Sequence, residues 1–323
     1  MKKIVFITSV LALVACNSNQ KAKTQTEQTA VEWNKNYGGA DKSYDTELLT
    51  MREEIAPKFQ KFTYKDEKSG IELVYHLYIP KDYKQGNSYP LVMFIPDAST
   101  VGKAENSGLM QGYGGIIWAT DESQKENPSF VLVPYIKGPE RGTNDNWEVS
   151  AEAETIIPML HSVIEKYGID KNRIYTTGQS MGGMLSFHFN VKYPDLFAAS
   201  IFVGSQWDNN LLSVLKDEKF FYIVSAGDPK ASKGMQLLKE KFTTENISFA
   251  QTEFSAKLPE KEQNQHIANL LKEDNPHNFV LFSLGTTLPE GVEINTKAGE
   301  HMYSFDYAYK IKAVRDWLFK QKK

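Results

Sequence analysis

Between an apolar, β-branched run, Arg173-Ile174-Tyr175-Thr176-Thr177, and a helical pattern over residues 184–193 stands the turn Gly178-Gln179-Ser180-Met181-Gly182. A strand that passes into a helix through so few residues leaves no room for side chains two positions either side of the apex. Glycines therefore flank a serine whose hydroxyl is held outward. Gly183 adds clearance and Pro194 ends the helical pattern. Such a turn belongs in a layered α/β fold, and the rest of the chain agrees. Strand-like runs at residues 71–79, 91–95, 130–133, 173–177, 199–203, 220–225 and 279–284 alternate with helical patterns at 151–167, 181–193, 232–243, 260–272 and 306–320. The alternation predicts a mostly parallel sheet with helices on both faces. The first two strands, joined by the polar corner Pro80-Lys81-Asp82-Tyr83, are expected to pair antiparallel.

A serine hydroxyl is a weak nucleophile at neutral pH. It needs an imidazole to take its proton and a carboxylate to hold that imidazole in the right tautomer. Of six histidines, His301, in Gly299-Glu300-His301-Met302-Tyr303, follows the carboxyl end of the last strand, where open α/β sheets place their sites, and is the expected base. His188 lies eight residues beyond Ser180 on one helix, roughly 12 Å along its axis and out of reach. His161 and His76 read as structural, His277 precedes the last strand and so sits at the wrong edge, and His266 stays open. Asp228, in the short turn Ser225-Ala226-Gly227-Asp228-Pro229, is the preferred acid, with Asp208 the alternative. Either keeps the chain order serine, acid, histidine.

Composition narrows the classes further. With 41% apolar and 24% charged residues the chain is ordinary globular material, and a net charge of -3 leaves no broad basic surface for nucleic acid. The only cysteine is Cys16, which excludes an internal disulfide and every cysteine-rich metal scheme. No histidine and carboxylate cluster has metal-ligand spacing, and no cofactor is called for. Lys2 and Lys3 precede an apolar run over residues 4–14, too short to span a bilayer. The run ends Leu13-Val14-Ala15-Cys16, which resembles the lipobox of bacterial lipoproteins. That resemblance implies cleavage before Cys16, lipidation of its sulfur, and a cell-envelope protein tethered to a membrane. Asn17 favours the outer membrane by the same resemblance. The polar stretch after it cannot bury enough to fold. The expected organisation is a signal peptide over 1–15, a lipid-anchored flexible tether and lead-in over 16–58, with a helical patch at 46–59, and one catalytic domain over 59–323.

From Leu73 to Lys320 the chain resembles the α/β-hydrolase superfamily, and within it secreted esterases related to feruloyl esterases, polyhydroxybutyrate depolymerases and prolyl-oligopeptidase-like hydrolases. The matching stretches are Tyr89-Pro90-Leu91-Val92-Met93-Phe94, Ile169-Asp170-Lys171-Asn172-Arg173-Ile174-Tyr175, the glycine-flanked serine turn, Tyr193-Pro194-Asp195-Leu196-Phe197-Ala198-Ala199 and His301. The resemblance implies ester hydrolysis through an acyl-enzyme on Ser180, with Asp228 and His301 completing the triad. Relatives usually carry His-Gly-x-Gly after the strand at 91–95, where this chain has Pro96-Asp97-Ala98-Ser99. Backbone N–H groups make an oxyanion hole, so Ala98 and Met181 are the expected donors, each worth roughly 3 kcal/mol in the transition state. A carboxylate there would offset one of them, so Asp97 must turn away or be paired, with Lys103 the nearby cation. Trp147, Trp207 and Gln179 are the expected substrate contacts, with Trp118, Tyr113 and Tyr135 also near the mouth. The expected substrate is an extracellular aryl or acyl ester on polysaccharide. A serine peptidase of prolyl-oligopeptidase type and a non-catalytic glycan-binding lipoprotein remain the alternatives, and the sequence leaves the oligomeric state open.

Overall fold

The computed structural model describes residues 33, 35–138, 140, 142–290 and 299–323; the signal segment and Cys16 lie outside them. The strands are β1 (Gln60–Lys65), β2 (Glu72–Tyr78), β3 (Leu91–Ile95), β4 (Phe130–Tyr135), β5 (Ile174–Gln179), β6 (Ala199–Val203), β7 (Phe220–Ser225), β8 (Ala250–Phe254) and β9 (His277–Phe282). They form one sheet of order β1-β2-β4-β3-β5-β6-β7-β9-β8. Only β2 runs against the rest, pairing antiparallel with β1 and β4. The expected antiparallel pairing of β2 with β3 is therefore corrected: β4 lies between them, and β3 pairs parallel with β4 and β5.

The longer helices are α1 (Thr46–Ile55), α2 (Ile156–Tyr167), α3 (Met181–Lys192), α4 (Pro229–Thr244), α5 (Glu260–Leu270), α6 (Gly299–Lys310) and α7 (Lys312–Lys320). Successive strand residues point to opposite faces, and both faces are covered. Val92 and Phe94 of β3, with Phe221 and Ile223 of β7, pack against α1, α5, α6 and α7. Leu91, Met93 and Ile95 face α2 and α3. Phe220, Tyr222 and Val224 face α3 and α4. Burial on two sides is why the central strands are continuous apolar runs instead of alternating ones.

The helical pattern at 306–320 is broken in the structure. Ile311 is extended, buried and placed between α6 and α7, and Arg315 Nη1 donates to the Tyr309 carbonyl near the end of α6. The segment before α1 also differs from a free tether. Trp33 is buried, meets Tyr37 edge to face at 5.4 Å, and the Arg52 guanidinium lies 4.7 Å from each ring. Lys42 is 1% exposed and pairs with Asp306 of α6 at 2.7 Å. Three aromatic and cationic side chains dock this otherwise polar stretch, so among the described residues packing on the domain is already present at Trp33, ahead of residue 59.

Candidate active site

Steric crowding explains the glycines around Ser180. A Cβ on Gly178 would stand 2.3 Å from the Gly182 carbonyl carbon, one on Gly182 would stand 1.8 Å from the Ile95 carbonyl oxygen, and one on Gly183 would stand 2.3 Å from Ser205 Oγ. The turn is thus pressed against both the end of β3 and the loop after β6. Ser180 itself adopts φ 52°, ψ -120°, a sparsely populated conformation for a residue with a Cβ. Its N–H donates to the Val203 carbonyl at 3.0 Å, which fixes the strained apex to β6.

Two further elements bring their side chains to that hydroxyl. Asp228 caps the N-terminus of α4: one carboxylate oxygen accepts from the Ala231 N–H at 3.2 Å, and the other is hydrogen-bonded to His301 Nδ1. His301 stands in the first turn of α6, with its ring edge-on to Phe305 at 5.0 Å. Its Nε2 lies 2.9 Å from Ser180 Oγ. Asp228 is 3% exposed, so a negative charge that water would otherwise solvate is available to the imidazole. An imidazole placed so can accept the hydroxyl proton and remain paired as it becomes cationic. The alternative acid, Asp208, instead caps a short helix through the Asn210 N–H at 3.0 Å. His188 pairs with Glu154 at 2.9 Å, His277 sits between the Ser248 and Lys216 carbonyls, and His266 stacks on Phe254.

Ser180, His301, Asp228, Met181 and Ala98 line one open cavity of about 380 Å³. The rest of its wall includes the polar residues Thr143, Asn144, Asp145, Gln206 and Lys230 and the apolar residues Met184 and Pro229. Lys230 and Asp145 join at 2.5 Å across the rim. Met181 begins α3, so its N–H belongs to the first turn, where backbone donors lack helical partners and the helix dipole is positive. Its sulfur accepts from the Gly142 N–H at 3.2 Å, tying the rim loop to the serine turn.

Other expected contacts are placed elsewhere. Trp207 is buried and meets Trp147 at 5.4 Å and His188 at 5.4 Å, outside the cavity wall. These two indoles brace the loop carrying Asn144 and Asp145 instead of lining the mouth. Tyr113 and Trp118 are fully buried, and the Tyr135 hydroxyl donates to the Lys103 carbonyl at 2.7 Å. Gln179 is 1% exposed and donates to Asp97 Oδ2 at 2.8 Å. Asp97 is therefore paired as required, but with neutral donors, the Ser99 N–H, the Ser99 hydroxyl and Gln179, and not with Lys103.

One buried carboxylate has no counterpart in the sequence reading. Glu300, beside His301, is 3% exposed and accepts from the Ser225 hydroxyl, from the Gly285 N–H at 2.7 Å and from Thr287 Oγ1 at 3.4 Å. It thus ties the first turn of α6 to the end of β7, two residues before the loop glycine that precedes Asp228. A Cβ on Gly227 would stand 2.0 Å from its Cδ. Nothing in the sequence but adjacency to His301 marks it. Among the described residues no group of three or more histidine, cysteine or carboxylate side chains is set to hold a metal, and no helix is long and apolar enough to cross a membrane.

Strand order, the strained serine between β5 and α3, and an acid and a histidine delivered after β7 and β9 are those of the α/β-hydrolase fold. The Esterase family model matches residues 70–255, more than half of the sequence, and the chain belongs to that family. Over 86 residues it is 33% identical to acetylxylan esterase A of Emericella nidulans, a stretch covering 24% of this chain and 27% of that one. It is 32% identical over 98 residues to acetylxylan esterase A of Aspergillus awamori, covering 27% and 30%. The match thus spans less than a third of these curated relatives. Among solved structures, a thermostable esterase superposes with TM-score 0.64 at 23% identity, over 83% of this chain and 64% of that chain. A feruloyl esterase module from Clostridium thermocellum complexed with sinapinate gives TM-score 0.53 at 16% identity, over 86% and 92%. These two likenesses concern the fold.

Proposed function

We propose that this protein is a serine carboxylic ester hydrolase working through an acyl-enzyme on Ser180. The observation that carries the reading is the unbroken run of hydrogen bonds from Asp228 through His301 to Ser180 Oγ. In this reading Ser180 Oγ attacks the ester carbonyl carbon as its proton passes to His301 Nε2. The Met181 and Ala98 N–H groups receive the oxyanion. Collapse breaks the bond to the alcohol, whose oxygen takes the proton from His301. Water then repeats the sequence on the acyl group, releasing the acid and freeing Ser180.

Two properties of the cavity support a short acyl group on a hydroxyl-rich alcohol. Among the described residues no Phe, Tyr or Trp ring lines it, so a cinnamoyl group would find no stacking surface of that kind, whereas Asn144, Asp145, Gln206 and Lys230 offer donors and acceptors to a sugar. The acetylxylan esterases among its relatives agree with that preference. We also propose that the protein is lipidated at Cys16 and held at the cell envelope by it, on the strength of the Leu13-Val14-Ala15-Cys16 sequence.

The test is turnover of p-nitrophenyl acetate together with fluorophosphonate labelling and peptide mapping. Label on Ser180, and turnover lost in Ser180→Ala, are expected. Undiminished turnover in that variant, or label on another residue, would refute the assignment. Faster release of acetate from acetylated xylan than of ferulate from feruloylated xylan is the expected order, and the reverse would refute the short-acyl reading.

A further inference from the structure

We propose that a closed ring of hydrogen bonds among Asp97, Ser99, Gln111 and Gln179 positions the oxyanion hole, doing for Pro96-Asp97-Ala98-Ser99 what no side chain of that loop can do alone. The inference rests on the ester-hydrolase reading of the same site.

The ring has four links. Gln179 Nε2 donates to Asp97 Oδ2 at 2.8 Å and to Gln111 Oε1 at 3.2 Å; Gln111 Nε2 donates to Ser99 Oγ at 2.6 Å; the Ser99 hydroxyl donates to Asp97 Oδ1 at 2.5 Å. Asp97, Gln111 and Gln179 are each 2% exposed or less. A single group sets the direction of every link. An ionised carboxylate can only accept, so the serine hydroxyl must point at it and leave its lone pair to Gln111 Nε2. The Gln111 carbonyl is then turned toward Gln179 Nε2, whose second proton is left for Asp97. No alternative amide orientation satisfies all four.

Its attachment to the chain gives the ring its role. Gln179 is peptide-bonded to Ser180, the turn that also carries Met181, whereas Asp97 and Ser99 flank Ala98. The two proposed donors thus stand on different segments, and the Asp97 to Gln179 bond is a direct side-chain link between them. Asp97 Oδ1 also accepts from the Ser99 N–H at 2.8 Å, which occupies that donor, while Ala98 beside it lines the cavity. From outside, the arm before α1 roofs the ring. Gly38 and Gly39 hold φ +78° and +76°, and added Cβ atoms there would stand 2.2 Å from the Ser99 carbonyl oxygen and 2.9 Å from Gln111 Nε2. The pairing also answers the charge problem, because a buried carboxylate with every oxygen occupied by a donor projects less of its field toward the developing oxyanion.

Reversing the 97–179 link tests it. Gln179→Glu alone sets two carboxylates against each other at that link, whereas Asp97→Asn alone removes the acceptor that fixes the direction and opens one link, because the Gln179 and Gln111 amides can turn over to receive the new N–H. Combined, the two substitutions restore the 97–179 link in the reverse direction and leave the ring open at one link. The amide at position 97 then donates to the carboxylate at position 179, Gln111 Nε2 turns to that same carboxylate, and the one Ser99 hydroxyl proton serves either the position-97 carbonyl or Gln111 Oε1. Gln179→Glu is expected to lower kcat for p-nitrophenyl acetate about 30-fold and Asp97→Asn about fivefold, each with KM changed less than about threefold, and each to weaken a boronic acid inhibitor in proportion to kcat, as an impaired oxyanion hole requires. The double variant is expected to recover to within about fivefold of wild type. Ser99→Ala opens the ring without burying a new charge, and supplies a folded variant if a single one fails to fold; its kcat should fall about fivefold. Singles and Ser99→Ala within about twofold of wild type, or a double variant no faster than the slower single, would overturn the proposal while leaving the hydrolase reading intact. A wild-type protein that neither turns over ester nor takes fluorophosphonate at Ser180 overturns both.

Discussion

Adding one methyl group at Gly182 should separate the two halves of the proposed oxyanion hole. The Cβ of an alanine there would stand 1.8 Å from the Ile95 carbonyl oxygen, 2.5 Å from its carbon and 2.7 Å from the Pro96 oxygen. Carbon and oxygen rest about 3.3 Å apart even in a favourable C–H···O contact, so the gap must widen by about 1.5 Å along that vector. All three obstructing atoms are backbone, and no side chain can swing aside. Relief therefore requires α3 to retreat from the end of β3, carrying Ser180 and Met181 away from Ala98. A displacement of about 1 Å at a reacting centre costs on the order of 100-fold. Gly182→Ala should thus lose at least about 100-fold in kcat/KM, with an overpacking penalty of about 1–3 kcal/mol in stability. Gly168→Ala is the matched control. That glycine has φ +65° and nothing within 4 Å of an added Cβ, so it should lose about 1 kcal/mol through backbone strain alone and leave kcat/KM within about twofold. Kinetics with p-nitrophenyl acetate and denaturant melts on both variants decide the matter. A folded Gly182→Ala protein with kcat/KM within about threefold of wild type would refute the steric reasoning, because the α3 to β3 contact could then widen without disturbing the site.

Glu300→Ala should lower kcat on the order of 10-fold and stability by about 1–3 kcal/mol, because it leaves the buried Ser225 hydroxyl and the part-buried Gly285 N–H without their acceptor. Glu300→Gln should recover most of the kcat, and a Glu300→Ala protein with wild-type kinetics would exclude any part for this carboxylate in aligning His301. Burial holds the His188 imidazole below its ordinary value against the opposing pull of Glu154, so the native state binds fewer protons there than the unfolded chain. Stability contributed by this residue is present above the unfolded value of about 6.5 and is lost as pH falls below it toward the folded one. His188→Gln should therefore flatten melting temperature against pH between about pH 7 and 5, and an unchanged slope would assign the acid sensitivity to other groups.

Elements buried on both faces were legible because their chemistry is uniform. Residues 91–95 read Leu-Val-Met-Phe-Ile, every one buried, and the strands β5, β6 and β7 are likewise buried throughout. The two strands that the apolar runs did not disclose are the two sheet edges. β1, Gln60–Lys65, has no buried residue, and β8, Ala250–Phe254, buries only its first and last. An edge strand needs polar side chains to avoid pairing with other chains, so the composition that protects it also removes it from a hydrophobicity pattern. The same logic explains the docked segment before α1, where Trp33 meets Arg52 of α1 and Lys42 meets Asp306, partners that lie far along the chain or depend on the fold.

The site divides along a similar line. Ser180 and Asp228 could be selected because each sits just past the carboxyl end of a strand, and His301 because it follows the last strand of the chain; strand position is readable locally. What surrounds them could not, since it depends on which side chains the sheet brings face to face. Trp147 and Trp207 resemble substrate contacts because their loops follow strands at the active edge; in three dimensions they spend their rings on each other and on His188. Asp97 is the converse case. Charge alone demands a partner for it, and the nearest cation in sequence is Lys103, yet a buried carboxylate is satisfied as well by three well-aimed neutral donors, without the cost of desolvating a second ion. Those donors come from Ser99 and from Gln179, the residue beside the nucleophile. The departure from the family's glycine-rich loop therefore has its complement in the serine turn itself, at the one position of Gly-x-Ser-x-Gly that the motif leaves unspecified before the serine.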